Sequence, residues 1–440
     1  MTSSRSLPEL GHIIQSRANT IADWHRAENE PQPSLSAGFS MQTHEYTKHI
    51  EECRAELLEA LDEMRALVLG PTSFLFFTSV ISPVWTAVFN VLYRFKVAEH
   101  VPTESGISYV ELSERCGLIE SDLRRILRAA MSMRVFEENP AGVVRHTAIS
   151  TALATPLCHD AIGFSTEEYA PAVTKFPEAL QRFPGSVKAG ESALALTNGS
   201  SGDTDIFSVV SHHPDRYQRF TNAMSWVTTV PETSAHHFVN NVPWAHMQNS
   251  TTRGCPQVIV DIGGSRGDLC AALLRRYPDI KRAVVEDLPE VTRADTEALI
   301  SSELAGRIEY QEYDFFTEQV VKDADVYIFR TVLHDWPDDY AIRILKNQIP
   351  AMKKGARILI NDICMDVSQT VSSLTIQAQC AHDLMVKMGL NAKERTREEW
   401  SELLSRADER FSIESIVSPP YSVHSIIEIV WRDSLVSTTT

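Results

Sequence analysis

Three side chains able to take up or steady a proton stand at punctuation points in the last quarter of the chain. His334 lies in "FRTVLHDWPDD" (329–339), where an apolar run ends and Asp and Pro turn the backbone. Asp362 follows the run "RILIN", and Glu394 lies in "NAKERT" ahead of a helical pattern. A lone histidine is usually structural. An imidazole at a strand end, with acids delivered from two other elements, is instead how a proton acceptor is assembled from distant sequence. Its ordinary pKa of ~6.5 suits it to accept hydrogen from a hydroxyl near neutrality, and carboxylates beside it stabilise the imidazolium that results.

A second set of residues could hold a ligand. "VIVDIGGSRGD" (258–268) reads as strand, glycine turn and helix start. Without a Cβ, Gly263 and Gly264 let the backbone bend sharply and come close to a bound molecule. A dinucleotide fingerprint needs G-x-G-x-x-G with an acid about 20 residues later. The spacing here, G-G-S-R-G, is different. Asp287 nevertheless stands where a ribose-binding carboxylate belongs, able to accept both vicinal hydroxyls; it could equally cap a helix starting at Pro289. Asp314 and Phe315 close a third run, a carboxylate for an exocyclic amine and a ring to pack on a base. Arg330 ends the fourth. All these positions fall at carboxyl ends of successive strand-like runs, where open α/β sheets bind ligands.

The elements that must position them follow from the apolar pattern. The runs "QVIVDIG", "RAVVED", "RIEYQEYD", "DVYIFR" and "RILINDI" alternate with the helical "GDLCAALLRRY", "PEVTRADTEALISSE" and "DDYAIRILKNQIPAMKK". Such alternation predicts an α/β fold with a parallel sheet covered on both faces. "RFSIESIVSPPYSVHSIIEIVWR" adds two strands around a Pro-Pro turn, an antiparallel pair at the edge. Upstream, 1–40 reads as a loose N-terminal segment and 41–160 as a helical domain. In the latter, Ile50, Leu57, Leu61, Met64 and Leu67 mark a helix over 44–69 that Gly70-Pro71 stops. The stretch 108–150 has a winged-helix pattern, with Ser121 as N-cap and Leu123, Ile126 and Leu127 inward. Residues 161–250 read as a helical linker and pocket region containing a polar connecting loop (185–206), and 251–440 as the ligand-binding domain.

Composition excludes several classes. A chain of 440 residues can build two or three domains. A net charge of −17 repels polyphosphate, and the second helix of the winged pattern offers only Arg124, Arg125 and Arg128, so nucleic acid is not an expected partner. The seven cysteines contain no pair spaced for a zinc knuckle or disulfide framework, which fits reduced thiols in a cytoplasmic protein and leaves no metal-ligand cluster to assign. "MTSSRSLPEL" lacks the basic-then-apolar pattern of a secretory signal. Ala66–Tyr93 carries no charge and is long enough to span a bilayer. Gly70, Pro71 and Pro83 interrupt it, and no Lys/Arg cluster flanks it. Two short helices buried in a domain or subunit interface are expected there, not a membrane span.

Taken in order and spacing, "DIGGSRG", "EDLPEV", "YDFF", "FRTVLHDWPDD", "ILINDI" and "KERT" resemble the class I S-adenosylmethionine-dependent O-methyltransferases of the plant caffeate/flavonoid and fungal polyketide type, over about residues 75–430. The resemblance implies a Rossmann-like seven-stranded sheet with a terminal hairpin, and a winged-helix N-terminal domain that makes a homodimer. It implies that Gly263 and Gly264 line the methionine part of the cofactor, that Asp287 holds the ribose, and that Asp314 and Phe315 meet the adenine. Arg330 takes the place of a basic residue that helps close the site. His334 matches the catalytic base, with Asp362 and Glu394 as the acids beside its imidazole, Asp362 standing where the plant enzymes more often have Glu. Met224 and Met385 match positions flanking the substrate. The chain departs from the usual G-x-G-x-G at Ser265, with Arg266 adding a charge.

The implied reaction is methyl transfer to a hydroxyl of a small natural product without a metal. Two alternatives use the same residues differently: a pericyclic or dehydration step in which S-adenosylmethionine is not consumed, and a non-catalytic winged-helix scaffold or regulator. A nicotinamide-dependent oxidoreductase is a third, disfavoured by the glycine spacing.

Overall fold

The structure, a computed structural model, describes residues 5–39, 46–199, 213–244, 254–289, 304–365 and 372–432. They form two compact units, Met1–Arg182 with Ala193–Pro231, and Phe183–Ser192 with Glu232–Thr440.

The first unit is mostly helical. Where a loose segment was expected over 1–40, Leu7–Ala27 is a helix of 21 residues. The cause is a capping box: Ser6 and Glu9 bond each other's backbone N–H groups, and Pro8 fits the first turn. This helix packs on the helix Lys48–Leu75; Leu10 of the first and Ile50, Cys53 and Ala60 of the second are buried. At Gly70 (φ 68°, ψ 170°) the second helix breaks and resumes at Pro71. It passes through a π-helical turn, Phe76–Ile81, into the helix Ser82–Arg94, whose first turn holds Pro83. The expected burial of this apolar stretch is not met within the chain. Only Val88 and Leu92 of the last helix are buried, while Leu75 is 63% and Val80 57% exposed. By length and composition alone, Lys48–Arg94 could cross a membrane.

A winged-helix module follows, with β1 (Ile107–Ser108), β2 (Phe136–Glu138) and β3 (Val143–His146) in the order β1-β3-β2, all antiparallel. Its helices are Tyr109–Cys116 and Glu120–Ser132. Leu123 and Leu127 point inward and fully buried, with Ile126 packed beside them. Ser121 is not the N-cap; the helix already starts at Glu120, whose carboxylate pairs with Arg124 one turn on.

The expected division at 160 is absent. Ala161 and Phe164, on the helix Pro156–Phe164, bury against Ala223 on the helix Pro214–Val227, which binds the stretch after 160 into this unit. Besides Phe183–Ser192, the second unit takes in the chain from Glu232 rather than from near 250. Phe238, Val239 and Val242 join a core with Ile259, Leu273 and Ile328. The connecting loop is anchored at its start: Lys387 Nζ bonds the carbonyl of Ser186 (2.7 Å) and Asn391 Nδ2 that of Lys188 (2.6 Å). Its part beyond 199, and the helical pattern "PEVTRADTEALISSE" beyond Pro289, lie outside the described residues.

That unit holds a seven-stranded sheet. Five strands are parallel: β4 (Val258–Ile262), β5 (Arg282–Asp287), β6 (Ile308–Glu312), β7 (Val326–Arg330) and β8 (Arg357–Asn361). Two short strands, β9 (Cys364–Met365) and β10 (Arg395–Thr396), pair with each other outside it. β11 (Phe411–Val417) and β12 (Ile426–Trp431) complete the order β11-β12-β8-β7-β4-β5-β6. The terminal pair is antiparallel as expected, but β12 lies inside, against β8, and only β11 is an edge. Continuous apolar strands demand cover on both faces; Tyr327, Ile328 and Phe329 of β7 and Ile358, Leu359 and Ile360 of β8 are fully buried. The strand order reverses between β4 and β7, so the crevice for a ligand opens past their carboxyl ends.

Candidate active site

In register, Ile262 lies opposite Phe329, and Arg330 opposite Asn361. Gly263, Arg330 and Asp362 therefore leave the sheet side by side. The glycine turn is tied down by its own amides, since the N–H groups of Gly263 (2.8 Å) and Gly264 (3.1 Å) both donate to the carbonyl of Glu286. A Cβ on Gly264 would meet the Asp261 carboxylate at 2.8 Å, and Gly263 holds a left-handed φ of 72°. Ser265 also takes a positive φ, 50°, where the family pattern has glycine. Its strain is offset by a hydrogen bond from its N–H to Asp287 Oδ2 (2.9 Å). Asp287 Oδ1 accepts from the N–H of Leu288 (2.8 Å), and burial raises this carboxyl against the pull of both bonds.

Beneath the turn lie two further buried acids. Burial pushes Asp261 up to about 7 despite the Arg330 charge and the Cys270 thiol. It does the same to Glu286, at about 7, against a bond from Gln319.

Asp314 lies two residues beyond β6 with its carboxylate exposed, accepting from the N–H of Phe316 (2.9 Å). Phe315 and Phe316 meet Trp336 edge to face at 5.8 and 4.8 Å, forming an aromatic wall beside the His334 turn. Arg330 is deeply buried. Its Nη2 donates to the carbonyl of Thr233 (2.7 Å), its Nε has no partner among the described residues, and desolvation pulls the guanidinium below arginine's usual value.

The short 3-10 turn Leu333–Asp335 aims the imidazole, with Leu333 sunk in the core as its anchor. His334 Nδ1 lies 2.7 Å from Glu394 Oε1. A carboxylate can only accept, so Nδ1 carries the hydrogen in either protonation state, and Nε2 has a lone pair to offer once the ring is neutral. Among the described residues none hydrogen-bonds Nε2; Asp335 Oδ1 is 3.6 Å away. Asp362 differs from expectation. Its Oδ2 accepts from the backbone N–H of His334 (3.1 Å), so its hydrogen bond holds the turn while only its charge acts on the ring. Burial alone would depress the imidazole, but the charges of Glu394, Asp335 and Asp362, with the Glu394 hydrogen bond, lift it well above an ordinary histidine. Asp335 is itself raised by burial to about 6.

Met385 lies on the helix Ser373–Leu390 of this unit and Met224 in the helical unit, each about two-fifths exposed (38% and 41%). Sequence reasoning missed Arg395, adjacent to Glu394 in "KERT" and completely buried. It donates to the carbonyls of Leu333 (3.0 Å) and Trp336 (2.7 Å) and to Asp338 Oδ1, clamping the turn that carries His334.

The residues present fit a sulfonium-bearing nucleoside. A glycine cradle that a Cβ would fill lies beside a carboxylate at the end of β5, and three buried polar atoms have no partner among the described residues: Arg330 Nε, Asp362 Oδ1 and Glu394 Oε2. Leaving such atoms unmatched costs about 1–3 kcal/mol each, so a ligand is expected among them.

A sequence profile of the O-methyltransferase domain family matches residues 245–409. The chain is 32% identical over 429 residues to O-methyltransferase kk1A of Curvularia clavata, covering 97% of both chains. It is 33% identical over 430 residues to the grayanic acid biosynthesis cluster O-methyltransferase of Cladonia grayi, covering 97% of this chain and 88% of that one. Its fold matches LepI in complex with S-adenosylmethionine at a TM-score of 0.75, with 22% identity, covering 96% of this chain and 100% of that one.

The chain thus belongs to the O-methyltransferase family. It is an enzyme whose cofactor is S-adenosylmethionine.

With the cofactor class in hand, Asp287→Ala is expected to weaken binding of S-adenosylhomocysteine by about 10- to 100-fold, the worth of a charge-assisted hydrogen bond. Titration calorimetry measures this directly, and an unchanged Kd removes Asp287 from the site.

Proposed function

We propose that this enzyme methylates a phenolic or enolic hydroxyl of a small natural product, such as a polyketide, with His334 as general base. The reading rests above all on one observation: the Glu394 bond at 2.7 Å holds the hydrogen on Nδ1, so that in the neutral ring Nε2 is the acceptor at the ligand end of the sheet.

S-adenosylmethionine, when bound, supplies an electrophilic methyl group. The chain supplies orientation and proton handling. Asp287 would take the ribose hydroxyls and the aromatic wall at Phe315 the base. His334 Nε2 accepts the hydroxyl proton, and Glu394 stabilises the positive ring that results. An ordinary phenol (~10) facing an ordinary histidine (~6.5) makes ionisation uphill by about 5 kcal/mol. A lifted His334 narrows that gap.

The same lift sets the pH dependence. A base whose pKa is raised stays protonated, and idle, to higher pH, so kcat/KM should climb as pH rises past ~6.5 rather than level off below it. Glu394→Gln removes the leading lifting charge while keeping an acceptor for Nδ1. The acidic limb should then move down by about 1–3 pH units and the plateau rate should fall. A limb that stays in place denies Glu394 its role.

The proposal is tested by incubating the full chain with methyl-labelled S-adenosylmethionine and a fungal metabolite extract. A labelled, methylated product with equimolar S-adenosylhomocysteine is expected under mass spectrometry. An isomerised or dehydrated product with no S-adenosylhomocysteine would instead mean that the cofactor is not consumed. We further propose a homodimer that covers the apolar surface from Leu75 to Val84; light scattering that finds a monomer counts against it.

A further inference from the structure

The ligand end of the sheet carries a second imidazole that the proton transfer above leaves unused. Because β12 runs antiparallel to β8, with Ile427 opposite Ile360, the residues just before β12 return to the carboxyl end of β8. They are pinned there. The N–H of Ser425 donates to the carbonyl of Asp362 (2.9 Å), and Asn361 Nδ2 to that of Ser425 (2.9 Å). Gln379 Nε2 donates to the carbonyl of Val423 (3.2 Å), tying this segment to the helix Ser373–Leu390. His424 sits between these ties.

Its backbone is satisfied by Ser422, whose Oγ accepts from the N–H (3.2 Å) and donates to the carbonyl (2.9 Å). The residue is only 4% exposed, yet no described residue bonds either ring nitrogen. A structural histidine in the same protein looks different. His146, equally buried, has Nδ1 on Ser150 Oγ and Nε2 on the carbonyl of Val101, both at 2.9 Å. Buried polar groups left unmatched are uncommon and ask for a ligand or water.

The one ring described against His424 is another imidazole, His382, perpendicular to it at 6.5 Å. The next residue, Asp383, accepts the backbone N–H of Glu394 (2.9 Å), so the two rings stand beside the His334–Glu394 dyad. Burial first, then the charges of Arg330, His334, His382 and His237, holds the His424 ring well below the usual histidine range. It is therefore neutral at working pH, with one N–H donor and one acceptor to offer.

We propose that His424, backed by His382, is a second acceptor-binding group, and that the acceptor is a polyoxygenated aromatic: one hydroxyl goes to His334 and another hydroxyl or a carbonyl to His424. This rests on the reading that the acceptor binds beside His334. A neutral donor–acceptor ring suits such an uncharged oxygen.

The test uses the full chain saturated with S-adenosylhomocysteine and three probes, phenol, catechol and resorcinol, with affinities taken from ligand-observed NMR titration. The parent should bind at least one dihydroxybenzene about three- to tenfold more tightly than phenol, the effect of one added hydrogen bond. His424→Phe, which keeps the ring shape, should cut that preference to below about twofold. His424→Gln should restore part of it. Thermal melts establish that each variant is folded, and His382→Phe is read in the same way should Phe at 424 fail to fold. A parent without the preference, or folded variants that keep it, overturns the proposal. His334→Ala, run in parallel, separates the two readings. If it loses methyl transfer while His424→Phe leaves the preference intact, the second group alone is refuted; if it stays fully active while His424→Phe abolishes the preference, the base assignment alone falls.

Discussion

Replacing His334 by alanine is expected to lower kcat about a thousandfold, within the ~10²–10⁴ range of a positioned general base, while leaving the affinity for S-adenosylhomocysteine within about twofold. The reason is a division of labour along the sheet. The glycine turn and Asp287 leave from β4 and β5, whereas His334 follows β7 and contacts Asp362 and Glu394 beyond β8. Truncating the imidazole therefore removes the proton acceptor without touching the cradle. It does not erase positioning, which can be worth ~7–11 kcal/mol in favourable cases, so a residual rate should remain. Pre-steady-state turnover with a separate binding titration checks both halves. A variant within about threefold of the parent rate ends His334's candidacy as the base.

Arg395→Met is expected to cost about 2–5 kcal/mol of folding stability, on the order of 1–3 kcal/mol for each of the two carbonyls left without a donor. The guanidinium is completely buried, lies over the Trp400 ring at 5.0 Å and satisfies two carbonyls and Asp338 at once. Methionine fills similar space but leaves the carbonyls of Leu333 and Trp336 without a donor. Arg395→Lys should recover only part of the loss, since one ammonium cannot span a fork-shaped set of acceptors. Denaturant unfolding monitored by tryptophan fluorescence gives the number, and a loss below about 1 kcal/mol would mean that the clamp is decorative. Because the clamp carries the His334 turn, kcat should fall alongside stability.

How far this was legible depended on how local the signal is. The parallel strands were readable because a strand buried on both faces must be apolar throughout, as "DVYIFR" and "RILINDI" are. His334, Asp362 and Glu394 were readable because each follows a strand or precedes a helix in a distinctive order. The division of labour between the acids was not, since only three dimensions show Asp362 reaching a backbone N–H instead of the ring. Arg395 and His424 were hidden for a related reason: their partners lie tens of residues away, so nothing beside them in sequence marks them. The helix Leu7–Ala27 is another matter. Its S-L-P-E capping signal was in plain view, but polar residues on its outer face masked the period. The apolar stretch around Leu75 was legible as apolar and interrupted, but composition reports how greasy a segment is and not what covers it.

The bond from Ser265 to Asp287 has a consequence for how the cofactor is captured. That hydrogen bond joins the first βα turn to the end of the neighbouring strand through the protein's own atoms. The ordering entropy of the cradle is therefore settled when the chain folds, and little of it is left to be lost on association. A preorganised receptor of this kind should recruit its cofactor quickly and without a slow rearrangement, and differences in affinity among its variants should show in how long the nucleoside stays.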